Sequence, residues 1–274
     1  MTDATDLLLP GLEERILDAR GVRIRYFTGG EGPPLLLVHG FGGSAWNFSE
    51  LVPLLSGRRL IVPDLPGHAG SSPLPAPTIA GFADALAPLL DESAGVVGHS
   101  LGGVVALRLA ERHPDRVRGL VLAAPAGISS SSRMATVTLG LIGLVQPGKI
   151  AARRVERIAR SQRLKELVFG RFEVANAAAL TDRAVHGFLR GPVLNTDSLG
   201  AGLALARDDP RDSLDRVRAP VLVLFGARDR QVPLADGFEY ARRLRAPLRV
   251  IADCGHLLIG ERPDVCARAI LATL

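Results

Sequence analysis

The residues predict an α/β fold: a mostly parallel central sheet with helices on both faces, interrupted by one helical insertion. Three observations carry that prediction. Short, wholly apolar runs recur along the chain. Amphipathic helical stretches alternate with them. One stretch of roughly eighty residues carries no strand pattern, which is too long for a structureless connection in a compact domain. The 274 residues suit one large domain or a domain with an insertion. At that size roughly three quarters of the unfolded surface is buried on folding, so no disulfide or metal staple is required.

The elements follow in order. Arg15 to Phe27 alternate around Ala19-Arg20-Gly21, which predicts a hairpin of two antiparallel strands. Leu35 to Val38 is a continuous apolar run between Pro33-Pro34 and Gly40, the pattern of a strand buried on both faces. Leu60 to Val62, Gly95 to Val97, Leu120 to Ala123, Val221 to Phe225 and Leu248 to Ile251 have the same character. Helical patterns lie between them: Ser44 to Leu55, Thr78 to Leu90, Leu101 to Arg112, Leu234 to Leu244 and Pro263 to Leu274. Pro114 just past one helix, and Pro233 and Pro263 at the starts of others, mark boundaries. Strand–helix alternation of this kind calls for a parallel sheet. From Gly127 to Asp209 the chain is Ser-rich, then apolar, then basic, then Ala-rich. It is expected to be a helical lid, leaving a core made of residues 1–126 and 210–274.

Composition excludes several classes. With 47% apolar residues the chain is not disordered. Its apolar runs stop short of the ~18 residues of a spanning helix, so stable membrane insertion is not expected. The acidic N-terminus, with only Leu7-Leu8-Leu9 before Pro10, is not expected to act as a signal peptide. Cys254 and Cys266 are too far apart for a CxxC pair, which suggests a reducing compartment and a cytoplasmic protein. The net charge is +5 and the pI near 10.0. Aromatic residues are 4% and no nucleic-acid module is recognisable, so a nucleic-acid partner is not expected. One local excess stands out: Lys149, Arg153, Arg154, Arg157, Arg160, Arg163, Lys165 and Arg171 face only Glu156 and Glu166. It would attract an anionic substrate or partner, and one solvated helical face would give the same pattern.

The chemistry sits in Gly95-Val96-Val97-Gly98-His99-Ser100-Leu101-Gly102-Gly103. This is G-x-S-x-G between a buried strand and an amphipathic helix. Such a turn holds the serine in a strained conformation with its hydroxyl projecting at the carboxyl end of the sheet. Gly98 and Gly102 flank it because side chains there would collide across the turn. The N–H of Leu101 opens the helix, where the dipole favours developing negative charge.

On these residues the sequence resembles the α/β-hydrolase family, in its serine-nucleophile esterase and lipase-like branch, over nearly the whole core. Three further stretches agree. His39-Gly40-Phe41-Gly42-Gly43 follows the strand Leu35–Val38 and is similar to the family's oxyanion loop. The resemblance implies that the N–H groups of Phe41 and Leu101 form the oxyanion hole. Phe225-Gly226-Ala227-Arg228-Asp229 ends a buried strand and looks like the family's acid position, with Pro233 after it. Gly255-His256, then Glu261 and Pro263, is similar to the family's G-H-x4-E-x-P. The chain order Ser100, Asp229, His256 is the order that this fold uses. A catalytic triad of these three residues is therefore expected: His256 as base, Asp229 fixing its tautomer, and an acyl-Ser100 intermediate.

Other residues compete for the same roles. Asp253, Asp208 and Asp209 rival Asp229 as the acid. His39 and His68 are expected to fix loops, His99 to point away from the turn, and His186 to lie at the surface or line a pocket. Cys254 beside His256 reads as packing. Gly143 to Lys149 matches G-x-x-x-x-G-K, but Ile150 stands where a phosphate loop needs Ser or Thr. No HExxH or paired CxxC exists, and neither metal nor cofactor is indicated. Asn47-Phe48-Ser49 is a glycosylation pattern that is expected to be idle, since no secretory route is expected.

The apolar run Met134 to Val145 suggests an apolar cavity, with packing against the core as the competing reading. His39, Phe41, Phe188 and Leu257 are the substrate-binding candidates, with Trp46, Phe169 and Phe172 as further possible walls. The expected activity is hydrolysis of a small-to-medium apolar carboxylic ester, lactone or thioester. A C–C bond hydrolase of the ring-cleavage-product type uses the same triad, although Leu257 stands where those relatives often carry Trp. A cofactor-free perhydrolase or haloperoxidase-like enzyme would share the acyl-enzyme. A non-catalytic ligand receptor on the same fold is the reading from a different class.

Overall fold

The structure is a computed structural model that describes residues 8–19, 21–131, 144–145, 147–170 and 172–274. Eight strands form one sheet: β1 (Glu13–Ala19), β2 (Val22–Gly29), β3 (Pro34–Val38), β4 (Arg59–Pro63), β5 (Ala94–His99), β6 (Val117–Ala123), β7 (Val221–Gly226) and β8 (Leu248–Ile251). Their spatial order is β1-β2-β4-β3-β5-β6-β7-β8. The β1–β2 hairpin and the β2–β4 pair are antiparallel; from β4 to β8 every pair is parallel. The hairpin pairs from Glu13↔Thr28 to Ala19↔Val22, so it begins earlier and ends later than the alternation suggested. Its Arg20 lies outside the described residues.

The continuous apolar runs are the central strands. All residues of β3, β5 and β7 are buried, as parallel strands covered on both faces must be. The edges differ: β1 and β8 are mostly exposed or half-buried, and their charged residues discourage pairing with another chain.

The helices follow the sequence closely where no proline intervenes. The core helices are α1 (Ile79–Leu86) and α2 (Leu101–Arg112) after β4 and β5, then further helices after β7. The Thr78 hydroxyl caps α1 by accepting from Gly81 N, and Pro88, lacking an N–H, ends its α-helical hydrogen bonding. The predicted helix Ser44 to Leu55 is two separate 3₁₀ turns, Ala45–Phe48 and Val52–Leu54. Pro53 sits inside that stretch, and side chains take the N–H groups at its start. Asn47 Oδ1 accepts from Ser44 N, and Asp64 Oδ1 accepts from Ala45 N.

Between β6 and β7 the described residues are helical, without a strand. They include α3 (Pro147–Ala152), α4 (Val155–Ala159), α5 (Gln162–Lys165), α6 (Asp182–Arg190) and α7 (Ser198–Arg207). After β7 come α8 (Leu234–Leu244), α9 (Leu258–Glu261) and α10 (Pro263–Thr273). The helical insertion packs on loops that leave the carboxyl ends of strands. A Cβ at Gly187 would meet Trp46 O at 2.4 Å, and one at Gly67 would meet Asp197 Cβ at 3.0 Å. The apolar run expected to line a cavity lies outside the described residues except for Leu144 and Val145, which are exposed. Gly143 and Gln146 of the rejected phosphate-loop match also lie outside them. Among the described residues no helix is long and apolar enough to cross a membrane.

Candidate active site

Ser100 occupies the single residue between β5 and α2, with φ 53° and ψ −117°. Few side-chain-bearing residues adopt that conformation. The surroundings fix it: Ser100 N donates to Ala123 O (3.0 Å), and Ser100 O accepts from Gly103 N (2.9 Å) and Ala126 N (3.1 Å). The two flanking glycines are required by close backbone approach. A Cβ at Gly98 would stand 2.3 Å from Gly102 O, and one at Gly102 would stand 2.2 Å from Val38 O. Leu101 begins α2, where the first N–H groups have no partner within the helix.

The loop His39–Gly43 runs beside this turn. A Cβ at Gly40 would lie 3.1 Å from Ser100 Cβ. The loop is held by two buried imidazoles. His39 Nδ1 donates to Gly40 O (2.8 Å) while its Nε2 accepts from Leu65 N (2.9 Å). His68 Nδ1 donates to Pro66 O (3.1 Å) while its Nε2 accepts from Gly42 N (3.2 Å). Burial pushes their pKa values down to about 4 and about 3, so both are neutral at ordinary pH. With both ring nitrogens spent on backbone, His39 fixes the loop rather than offering a polar contact to a substrate. Asn195 from the insertion completes the support. Its Nδ2 donates to Gly42 O (2.9 Å) and its Oδ1 accepts from Ala69 N (3.0 Å). Nothing in the sequence around Asn195 marks it for this work.

His256 follows β8, and its Nδ1 donates to Asp229 Oδ2 (2.8 Å), both side chains being almost fully buried. That bond leaves Nε2 as the unprotonated nitrogen. The other carboxylate oxygen of Asp229 accepts from Gln231 N and Val232 N, both at 2.9 Å. The carboxylate is thus aimed from both sides. Next to Ser100, His99 does not simply point away. Its Nε2 donates to the carbonyl of His256 (3.0 Å), and the two rings are 5.0 Å apart. Burial lowers the pKa of His99 to about 3. The neighbour of Ser100 in sequence is therefore bonded to His256, 157 positions away.

The rival acids are engaged elsewhere. Asp253 is exposed and pairs with Arg228 (2.6 Å), Asp208 binds Arg108 (2.8 Å), and Asp209 binds Arg211. Glu173, from the insertion, was not anticipated. Desolvation first, then the nearby charge of Asp229, holds its carboxyl above the usual range, while His256 and a hydrogen bond with Gln231 oppose the rise. Cys254 and Cys266 are buried free thiols. Burial raises the pKa of both, that of Cys266 to about 12, as inert packing residues require.

Of the substrate-binding candidates, Phe41 is half-buried, whereas Leu257 and Phe188 are buried. Phe188 packs edge-on against Phe169, ring centroids 6.5 Å apart, and over Gly260. Trp46 is buried core, stacked on the Arg25 guanidinium at 5.1 Å. His186 is buried and accepts from Arg190 Nε (3.1 Å). One member of the basic cluster is withdrawn from the surface. Lys165 is buried and donates to Leu180 O (3.0 Å) and Asp182 (3.1 Å), and Arg171 lies outside the described residues. Arg153, Arg154, Arg157, Arg160 and Arg163 remain as an exposed set.

Comparison with known proteins agrees with this fold. The chain is 38% identical to a pimeloyl-[acyl-carrier protein] methyl ester esterase of Aromatoleum aromaticum, over 86% of this chain and 95% of that one. It is 32% identical to the dihydrolipoyllysine-residue acetyltransferase component of the acetoin cleaving system of Cupriavidus necator. That match covers 90% of this chain and only 65% of the other. Among solved structures, a thermophilic esterase from Thermogutta terrifontis superposes with a TM-score of 0.72 at 27% identity, over 95% of this chain and 97% of that one. The family model described as alpha/beta hydrolase fold matches residues 33–263, which hold six of the eight strands and every residue of the candidate site. By that match, and by the strand order and the strained serine turn that go with it, the chain belongs to the alpha/beta hydrolase fold family.

Proposed function

We propose that the chain is a serine ester hydrolase with Ser100 as nucleophile, His256 as base and Asp229 as its orienting acid. One observation carries this reading: the buried Asp229–His256 pair is tethered to His99, the residue that precedes a strained serine. Ser100 Oγ attacks the acyl carbon and gives its proton to His256 Nε2. The carbonyl oxygen becomes an anion between the N–H groups of Phe41 and Leu101. Removing one such donor costs ~3–4 kcal/mol of transition-state stabilisation. The C–O bond then breaks, and the leaving alcohol takes the proton from His256. Water attacks acyl-Ser100, its proton passes to His256, and Ser100 recovers its hydrogen as the acid departs.

The substrate is a small-to-medium apolar acyl ester, with the insertion 127–209 as a lid over the carboxyl ends of the strands. Several of the relatives are named as esterases of a pimeloyl-[acyl-carrier protein] methyl ester. The exposed arginines Arg153, Arg154, Arg157, Arg160 and Arg163 of the insertion suit an anionic carrier of that kind. Turnover of p-nitrophenyl acetate and butyrate tests the chemistry: wild type hydrolyses at least one, and a folded Ser100→Ala variant does not. Equal rates for the two proteins would end this reading. Methyl esters of graded chain length, free and carrier-bound, then separate the substrates. A carrier preference that fades with salt is expected for a charge-guided partner.

A further inference from the structure

We propose that Glu261 is a positioning residue for His256, locking residues 173–176 of the insertion onto the histidine loop so that the two move as one body. The inference rests on the reading of His256 as the base.

Glu261 ends the short helix α9 and is only 5% exposed. Its carboxylate accepts three backbone N–H groups from two separate segments. Oε2 takes Gly255 N (2.7 Å) and Ala175 N (3.2 Å), and Oε1 takes Asn176 N (2.8 Å). The contact is reinforced in the opposite direction, because Leu257 N donates to Glu173 O (3.0 Å). The residues on both sides of His256 are therefore bonded to this one ledge of the insertion or to the carboxylate that grips it. There is no slack between the two backbones. A Cβ at Gly255 would stand 2.6 Å from Val174 Cα and 2.8 Å from Ala175 N.

The histidine itself is then held at each of its exits. Its side chain is held by Asp229, its carbonyl by His99, and its two neighbours by Glu261 and Glu173. Three of those holds come from the core. The fourth comes from the insertion, which also supplies two of the three N–H groups that Glu261 grips. A buried carboxylate with three aimed donors fits this work because charge-assisted bonds are the strong ones, and loss of the acceptor leaves three N–H groups unpaired. This end of the insertion is accordingly a fixed wall of the site. A displacement of about 1 Å in a catalytic group can cost about 100-fold in rate. The loss of Glu261 should therefore appear in kcat, while the ester pocket and KM stay nearly as they were.

The test compares wild type, Glu261→Ala, Glu261→Gln, Ser100→Ala and His256→Ala on p-nitrophenyl butyrate, with the folded fraction of each measured by near-UV circular dichroism. The Gln side chain keeps the shape and one good acceptor but turns an NH₂ toward an N–H. The expected result for Glu261→Ala is a fall in kcat of about tenfold or more per folded molecule, with KM within about threefold. Glu261→Gln should recover part of that loss. Should the Ala variant not fold, the Gln variant alone decides, with an expected kcat loss larger than any loss of folded protein. Wild-type kcat in a folded Glu261 variant, or a loss matching only the unfolded fraction, overturns the positioning role. Turnover surviving in Ser100→Ala and His256→Ala would instead overturn the reading on which it rests.

Discussion

Replacing Ser100 by glycine should make the protein more stable than replacing it by alanine, although both variants lack the hydroxyl. At φ 53° and ψ −117° the backbone sits where glycine is at ease and alanine is not. A non-glycine residue held in such a region costs about 1–3 kcal/mol. Alanine keeps that strain, whereas glycine releases it and loses about 0.5–1 kcal/mol through greater freedom in the unfolded chain. The net advantage of glycine is about 0.5–2 kcal/mol. Unfolding entropy of about 2.1 cal/mol/K per residue gives about 0.6 kcal/mol per degree for a chain this long. The glycine variant should therefore melt about 1–4 °C above the alanine variant. Calorimetry of the two, side by side at one pH, reads the difference. A glycine variant that melts at or below the alanine variant would refute the claim that the turn stores strain for the sake of presenting the hydroxyl.

Two more outcomes follow from the same geometry. Asp229→Asn can still accept from Gln231 and Val232 but turns its NH₂ toward His256, which favours the wrong tautomer. Ester turnover should fall by about 10⁴ with the fold kept, and a loss under tenfold would remove Asp229 from the mechanism. His39, His68 and His99 have pKa values lowered by burial to about 4, 3 and 3. Below pH ~6.5 the unfolded chain binds protons that the folded chain refuses, so stability falls with pH, by up to ~1.4 kcal/mol per unit for each ring. The melting temperature should drop steadily from pH 6.5 to pH 4.5, and a flat profile there would contradict the neutral, buried imidazoles.

The order of strands and helices was legible because parallel strands leave an unmistakable trace. Leu35 to Val38 and Val221 to Phe225 are apolar without a break, and each is buried on both faces. The serine turn was legible because its glycines answer to backbone collisions that no other residue survives. The stretch after the His39 loop misled, since Ser44 to Leu55 has helical spacing and its fate was decided at a distance. Asp64, from the end of β4, takes the N–H of Ala45, and Pro53 forbids continuation. Asn195 and Glu173 gave no signal because their partners are 153 and 84 positions away, and only the folded chain brings them together. Lys165 read as part of a basic face until its ammonium proved to be spent on Leu180 and Asp182. Local pattern records what a segment does with itself, whereas the supports of a site lie in contacts between distant segments.

Covalent capture reaches the centre of the account in one step. An alkyl phosphonate ester that reports on activated serines is incubated with the native protein, and the digest is read by mass spectrometry. The expected result is one adduct per chain, on the peptide containing Ser100, formed at a rate that collapses in His256→Ala. An adduct on any other residue, or equal labelling of Ser100 without His256, would contradict the proposal that this imidazole activates this hydroxyl.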